Sequence, residues 1–462
     1  MISGTAGTYA RGAQARPDTQ VGYSDRAVLI TTVLMAIVAV RLHEMVPGIS
    51  IVKPVLTVSI PSFAMLLTWT SPGVRQAAFS HPQTRWVLAY FAFITVTIPL
   101  ALWQVMAFNT AKGMLPAVLM FLAFLLCAPR RSVLDRLQVT FVLLVLVYAT
   151  YTQMVGSSWR GRLYTVGGFY DTNDMAAMLA IAFPLAAGLV VRSTPGRDRI
   201  VGIVATVALV LGVIASGSRG GTLALLAGAA VFALGLKGGR GMIAILAMIV
   251  GGIVAWNTAS PAFRARMMTL TNLEADYNLT SDVGRKAVWE RGRRYWRENM
   301  VIGVGAGNFP IAEGDFNADL GQAGWKWSAA HNAYIQVFAE LGTIGGVIFM
   351  GILLGAARRA LPFWRGIRHG RAPPFDRPEL LAALAAFASA AYFLSHAYFQ
   401  PLFAVLGLMA LAHRVAAWEA TAETVRPLAD DRPVRVRRPG ERGGGSLAWW
   451  NPASRAEPGP SA

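Results

Sequence analysis

The chain has 462 residues, 55% hydrophobic and only 14% charged, with a mean hydropathy of +0.47. This balance places it in the membrane class and excludes an ordinary soluble enzyme or a disordered chain. Its formal charge of +18 invites a polyanionic partner, while its one cysteine, Cys127, excludes an intrachain disulfide.

The first 27 residues are polar and lack an apolar stretch ending in a small-residue cleavage site, so the first span is expected to act as its own insertion signal. Crossing a hydrocarbon core takes about 20 apolar residues as helix. Runs at 28–40, 49–69, 86–108, 113–127, 137–155, 175–191, 200–216, 221–236, 241–257, 329–357, 379–398 and 401–418 reach or approach that length. Lipid does not tolerate unpaired backbone, and the alternating segments of a β-barrel are missing. The runs therefore predict an all-α integral membrane protein with about 12 transmembrane helices. The expected organisation is a cytoplasmic segment 1–27, nine helices over 28–257, a long, partly helical periplasmic loop 258–328, three helices over 329–419, and a disordered basic cytoplasmic tail 420–462.

Sorted by side with the N-terminus inside, 27 Lys and Arg residues fall on inner segments, six on short outer loops and nine in the long loop. This is the positive-inside asymmetry, and it accounts for the basicity without nucleic acid. It also places both termini in the cytoplasm. No internal repeat is visible, which argues against a transporter built from two related halves.

Four polar clusters are expected on the outer face: 157–174, the turn Ser216-Gly-Ser-Arg219-Gly-Gly221, the long loop, and the short turn from His396 to Pro401. Within the long loop, 282–300 reads as an amphipathic helix suited to the headgroup layer. Val283, Ala287, Trp289 and Trp296 supply its apolar contacts, and Arg285, Arg291, Arg293, Arg294 and Arg297 its charge. Gly303-Val-Gly-Ala-Gly-Asn-Phe309 then predicts a turn that glycine permits.

Where the loop rejoins the membrane the chain reads His331-Asn332-Ala-Tyr334, followed by Glu340-Leu341-Gly342. A neutral imidazole can take a proton from a hydroxyl, so His331 is a candidate general base; a histidine hydrogen-bonded at a helix end is the simpler reading. Arg219, in a turn of small residues, suits a diphosphate, against an arginine snorkelling to the interface. Arg285 is a second such cation or a solvated helix face touching anionic lipid; Arg160 and Arg162 are weaker candidates. Asp171, Asn173 and Asp174 precede a span and suit helix capping as well as a site, capping being preferred for Asp174. Asn332 and Tyr334 orient the imidazole or serve the fold. Glu340 is a carboxylate inside a span with no partner evident in the sequence. No His/Cys cluster has metal spacing, and His43-Glu44 alone is thin support, so no metal is expected.

Taken together and in order, Gly168-Phe-Tyr-Asp171-Thr-Asn173-Asp-Met-Ala176, the Arg219 turn, the glycine-rich turn with its His331 and Glu340 segments, and more weakly Gly284-Arg285 to Trp289, resemble the O-antigen ligases and related lipid-linked polysaccharide polymerases. The resemblance covers roughly residues 160–357. It implies a GT-C-like bundle in the bacterial inner membrane, transferring a polysaccharide from undecaprenyl diphosphate to an acceptor hydroxyl on the periplasmic side. Transfer is expected to be inverting and metal-independent, with no cofactor and with a glycan or lipid A-core acceptor. On that reading His331 is the base, and Arg219 and Arg285 hold the diphosphate. Asp171, Asn173, Asn332, Tyr334, Arg160 and Arg162 then support the sugar or acceptor site. A repeat-unit polymerase and a protein O-oligosaccharyltransferase share this chemistry. A flippase or transporter ranks lower, because the arginines sit at span ends instead of mid-membrane.

Overall fold

The computed structural model describes residues 17–46, 48–159, 161–165, 170–193, 195–269, 271, 284–319, 327–368 and 377–425. The segment 1–16, Arg160, Gly168 and Phe169 of the first motif, the 282–283 start of the amphipathic helix and the tail beyond 425 lie outside the described residues. The chain divides into Met1–Glu419 and Ala420–Ala462; of the second unit, 420–425 are described and are helical.

Helices dominate. They run α1 (Pro17–Leu34, closing in a π turn at Met35–Ala39), α2 (Pro54–Trp69), α3 (Pro72–Ser80), α4 (Pro82–Val96), α5 (Gln104–Leu126) and α6 (Arg131–Val155). A small antiparallel hairpin, β1 (Ser158–Trp159) and β2 (Arg162–Leu163), precedes α7 (Thr172–Arg192), α8 (Arg197–Ser216), α9 (Arg219–Gly235) and α10 (Gly239–Thr258). The long loop contains α11 (Pro261–Met268), α12 (Arg285–Glu298) and α13 (Phe309–Asp319), and α14 (Ala333–Arg368), α15 (Pro378–Phe393) and α16 (Gln400–Val425) follow. Seven of these are long and apolar enough to cross a membrane: α5, α6, α7, α8, α10, Ala333–Leu361 of α14 and Gln400–Thr421 of α16. α2, α9 and α15 are shorter apolar helices.

The run expected at 86–108 is not one helix. α4 stops at Val96, where Thr97 Oγ1 donates to the Phe93 carbonyl, and Pro99 lies in the 3-10 turn that follows. A single proline removes a helix donor but carries no charge to interrupt an apolar run, so the break is invisible to an apolar-run reading. α5 starts at Gln104 and absorbs the short run expected at 113–127, its entry fixed by the Trp103 N–H donating to Asn308 Oδ1 (2.8 Å) from the long loop. The last helix likewise continues to Val425, past the expected start of the tail at 420.

α7 forms the centre and is buried along most of its length between α6, α8, α9 and α15. Gly221 brings α9 against Ala176 of α7, where an added Cβ would lie 2.5 Å from the alanine methyl. At the Arg192 end of α7, buried charges are paired: Arg377 with Asp135 (2.5 Å), and Arg192 with Asp135 (3.2 Å) and the fully buried Glu379 (2.8 Å). Burial demands such pairing, since an isolated ion inside protein is costly. The other end of α7, at Asp171, carries the candidate site.

α12 packs one face on α13 and α14. Val288, Gly292 and Tyr295 are buried, and Gly292 leaves room for Ile335 of α14 and Phe309 of α13. Arg291 and Glu313 form a two-pronged ion pair (2.8 and 2.7 Å), with the Tyr295 hydroxyl donating to the same carboxylate (2.8 Å). The hydrogen bonds from Arg291 to Glu313 hold the arginine's pKa above its ordinary value.

Candidate active site

α14 begins on a cap. Asn332 Oδ1 accepts the N–H groups of Tyr334 (2.9 Å) and Ile335 (3.0 Å), so Asn332 satisfies two helix-end donors. The Tyr334 hydroxyl donates to Ala388 O of α15 (2.9 Å). Both residues thus have structural tasks. His331 precedes the cap with φ of 47°, one of three described non-glycine residues at positive φ, and its N–H donates to Ser395 Oγ (2.9 Å). A non-glycine residue held there is strained, and such strain concentrates at functional sites.

The first motif is likewise built on a cap. Asp171 Oδ1 accepts the N–H groups of Asn173 (2.6 Å) and Asp174 (2.8 Å), while Asp174 Oδ2 accepts the Asp171 N–H (3.2 Å), a reciprocal capping box that opens α7. Asn173 Oδ1 accepts from Arg162 (2.8 Å), whose Nε donates to Ser216 O at the end of α8 (3.0 Å). Arg162 is therefore a strap between the α7 start and the Arg219 turn. Arg160 lies outside the described residues.

Arg219 is the first residue of α9, behind the Ser218 cap that accepts the Gly221 N–H (3.2 Å), and its guanidinium donates to Thr269 Oγ1 just past α11 (2.5 Å). Arg285 is the first residue of α12. One turn further, on the same face, Trp289 Nε1 donates to Ala330 O (2.9 Å), next to His331.

Sequence reasoning placed these groups on one side; it did not identify what joins them. The joint is the corner between α15 and α16. Tyr392 packs against Trp289, Phe393 against Gly220, Ser395 accepts from His331, and His396 Nε2 lies 2.8 Å from Asp174 Oδ1. Four nearly consecutive residues each touch a different cluster. His396 is 3% exposed, stacked on Phe399 at 3.9 Å, and its Nδ1 is buried without a hydrogen-bond partner. The only signal in the sequence was that His396 opens a polar turn between two apolar runs.

Glu340 acquires its partners here. The fully buried carboxylate accepts from Gly307 N (2.8 Å), Phe309 N (3.2 Å), Tyr398 Oη (2.7 Å) and Gln336 Nε2 (3.3 Å). The glycine-rich turn is folded around it, with Val304 N donating to Ala339 O (3.0 Å) and Gly305 N to Glu340 O (2.8 Å). Gly342 kinks α14 (φ 61°), and a Cβ there would lie 2.4 Å from the Val301 carbonyl carbon. These motifs are framework around the site.

The fold and this capped, arginine-bearing helix end define a multi-pass all-α membrane protein with a polar site at one end. Residues 204–350 match the family model described as O-antigen ligase, which supports an O-antigen ligase-family assignment for the chain. The matched segment contains Arg219, Arg285, His331 and Glu340; Asp171, Asp174 and His396 lie outside it. A comparison with curated proteins finds no match.

Proposed function

We propose that the chain is a glycosyltransferase that moves a glycan from undecaprenyl diphosphate to an acceptor hydroxyl, as an O-antigen ligase does. The observation carrying this reading is the convergence of the Arg219, Arg285, His331 and Asp174 segments on the Tyr392–His396 corner. His331 acts as general base on the acceptor hydroxyl, which attacks the anomeric carbon from the face opposite the leaving diphosphate and inverts it. Arg219 and Arg285 neutralise the charge that builds on that diphosphate. The leaving group is already a diphosphate, so arginines suffice without a metal. Asp171, Asn173 and Arg162 support the sugar or acceptor site, and Asn332 and Tyr334 set the helix end that presents His331. The site would face the periplasm, with both termini cytoplasmic, in keeping with the basic residues at the opposite end. Joining of repeat units by a polymerase uses the same groups and differs in acceptor.

The test is transfer from a lipid-linked glycan by purified protein. His331→Ala and Arg219→Ala should each abolish transfer, a loss of at least about a hundredfold, while expression and membrane insertion stay normal. Full activity in either variant overturns the mechanism. Loss of activity on chelation, restored by a divalent cation, overturns its metal-free part.

A further inference from the structure

At the other end of the bundle, a cavity of about 630 Å³ opens between α4, α14 and α16. Trp86, Leu354 and Gly355 supply its apolar wall, and Arg358, Arg359 and His413 its polar one; among the described residues no carboxylate lines it. Arg359 donates through Nη1 to Gln83 Oε1 (3.1 Å) and to Gly355 O (2.7 Å), which fixes its guanidinium at the cavity. Among the described residues no carboxylate lies within ion-pair distance of Arg358 or Arg359, in contrast to Arg192 and Arg377 nearby. His413 Nδ1 lies 3.3 Å from His81 Nε2.

The approach to the cavity is apolar and exposed. Ile344 (44% exposed), Val347 (54%) and Leu354 (61%) follow one face of α14 and end at Arg358. An apolar track leading along a membrane helix to two arginines matches one kind of molecule: an acyl chain with a phosphate at its end. We infer that this groove is a binding site for an anionic phospholipid, with the headgroup phosphate on Arg358 and Arg359 and an acyl chain along Leu354, Val347 and Ile344. Basic pockets between membrane helices favour such headgroups. Trp86 closes the side of the headgroup pocket, as indole rings do at the membrane interface. The site is separate from the His331 end and does not depend on the reading given to it.

Native mass spectrometry of the full-length protein in detergent tests this, with phosphatidylglycerol and phosphatidylcholine of identical chains as probes. Phosphatidylglycerol should be retained in preference, and R358Q/R359Q should lower its retention about tenfold. R136Q, an exposed arginine paired with Asp25, should leave it unchanged. Equal retention of the two lipids, or a double variant that keeps phosphatidylglycerol, overturns the proposal. So does inorganic phosphate that binds with the same arginine dependence while the lipid does not, which would make this a site for free phosphate. A phosphatidylglycerol carrying a photoreactive acyl chain, applied to the unmutated protein, removes reliance on the variant's folding. Its label should fall on 344–354, and labelling confined to other helices overturns the placement.

Discussion

The backbone N–H of His331 donates to the hydroxyl of Ser395, 2.9 Å away, so the candidate base is fixed by a residue 64 positions later. This bond holds a residue whose φ of 47° is otherwise unfavourable. Ser395→Ala removes the acceptor and leaves that donor unpaired, which costs about 1–3 kcal/mol. Transfer should fall about tenfold or more, with a smaller change in donor KM than in kcat. Ser395→Thr, which keeps the hydroxyl, should recover most of the rate. Equal rates in all three proteins would show that the His331 backbone setting does not matter.

Asp174 has two duties, the capping box of α7 and the contact to His396. Asp174→Ala should lower stability by about 1–3 kcal/mol, because a cap and a buried partner are lost together. His396→Phe keeps the stacking on Phe399 and loses only the polar contact. It should therefore melt closer to the unaltered protein than Asp174→Ala does. Thermal unfolding in detergent measures both, and the reverse order would place the stability in the histidine contact instead of the cap.

Glu340 is surrounded by donors alone: two backbone N–H groups, a phenol and an amide. Glu340→Gln turns an NH2 group toward donors, so the near-isosteric change should destabilise by about 1–3 kcal/mol. An unchanged melting temperature for this variant would contradict the acceptor-only role.

The Arg291–Glu313 pair buries a carboxylate beneath α12. Glu313→Ala leaves the arginine facing a desolvated gap and should cost about 3–5 kcal/mol. Arg291→Ala with Glu313→Ala should cost less than the sum of the single changes. Strict additivity in a double-mutant cycle would show that the two side chains do not interact.

Parts of this arrangement were legible in the sequence for definite reasons. Asp171 and Asp174 stand three apart before an apolar run, which is the spacing of a capping box, and hydropathy marks α7, α8 and α10 plainly. What was hidden depends on contacts between distant residues. Nothing local to Glu340 announces Gly307 and Tyr398, and nothing near Trp103 announces that Asn308 will accept its N–H. The stop at Val96 was missed because Pro99 and Thr97 act through hydrogen bonding, to which an apolar count is blind. The amphipathic pattern over 282–300 was legible, but not its covering: Gly292 seats Ile335 and Phe309, and a small residue carries no mark of what fills the space beside it. Ser395 and His396 escaped notice as site residues because a short turn has no periodicity to read.

Around the Gly342 kink the chain is stitched to the segment after α12 by four main-chain bonds: Thr343 N to Met300 O, Ile344 N to Val301 O, Val304 N to Ala339 O and Gly305 N to Glu340 O. With the Arg291–Glu313 pair, these bonds tie α12, α13 and the first turns of α14 into one connected unit that carries Arg285 and His331 together. Arg219 opens α9 instead, where it donates to Thr269 just past α11. A shift of α9 would therefore change the spacing of Arg219 from Arg285 and His331 while theirs to each other stays constant.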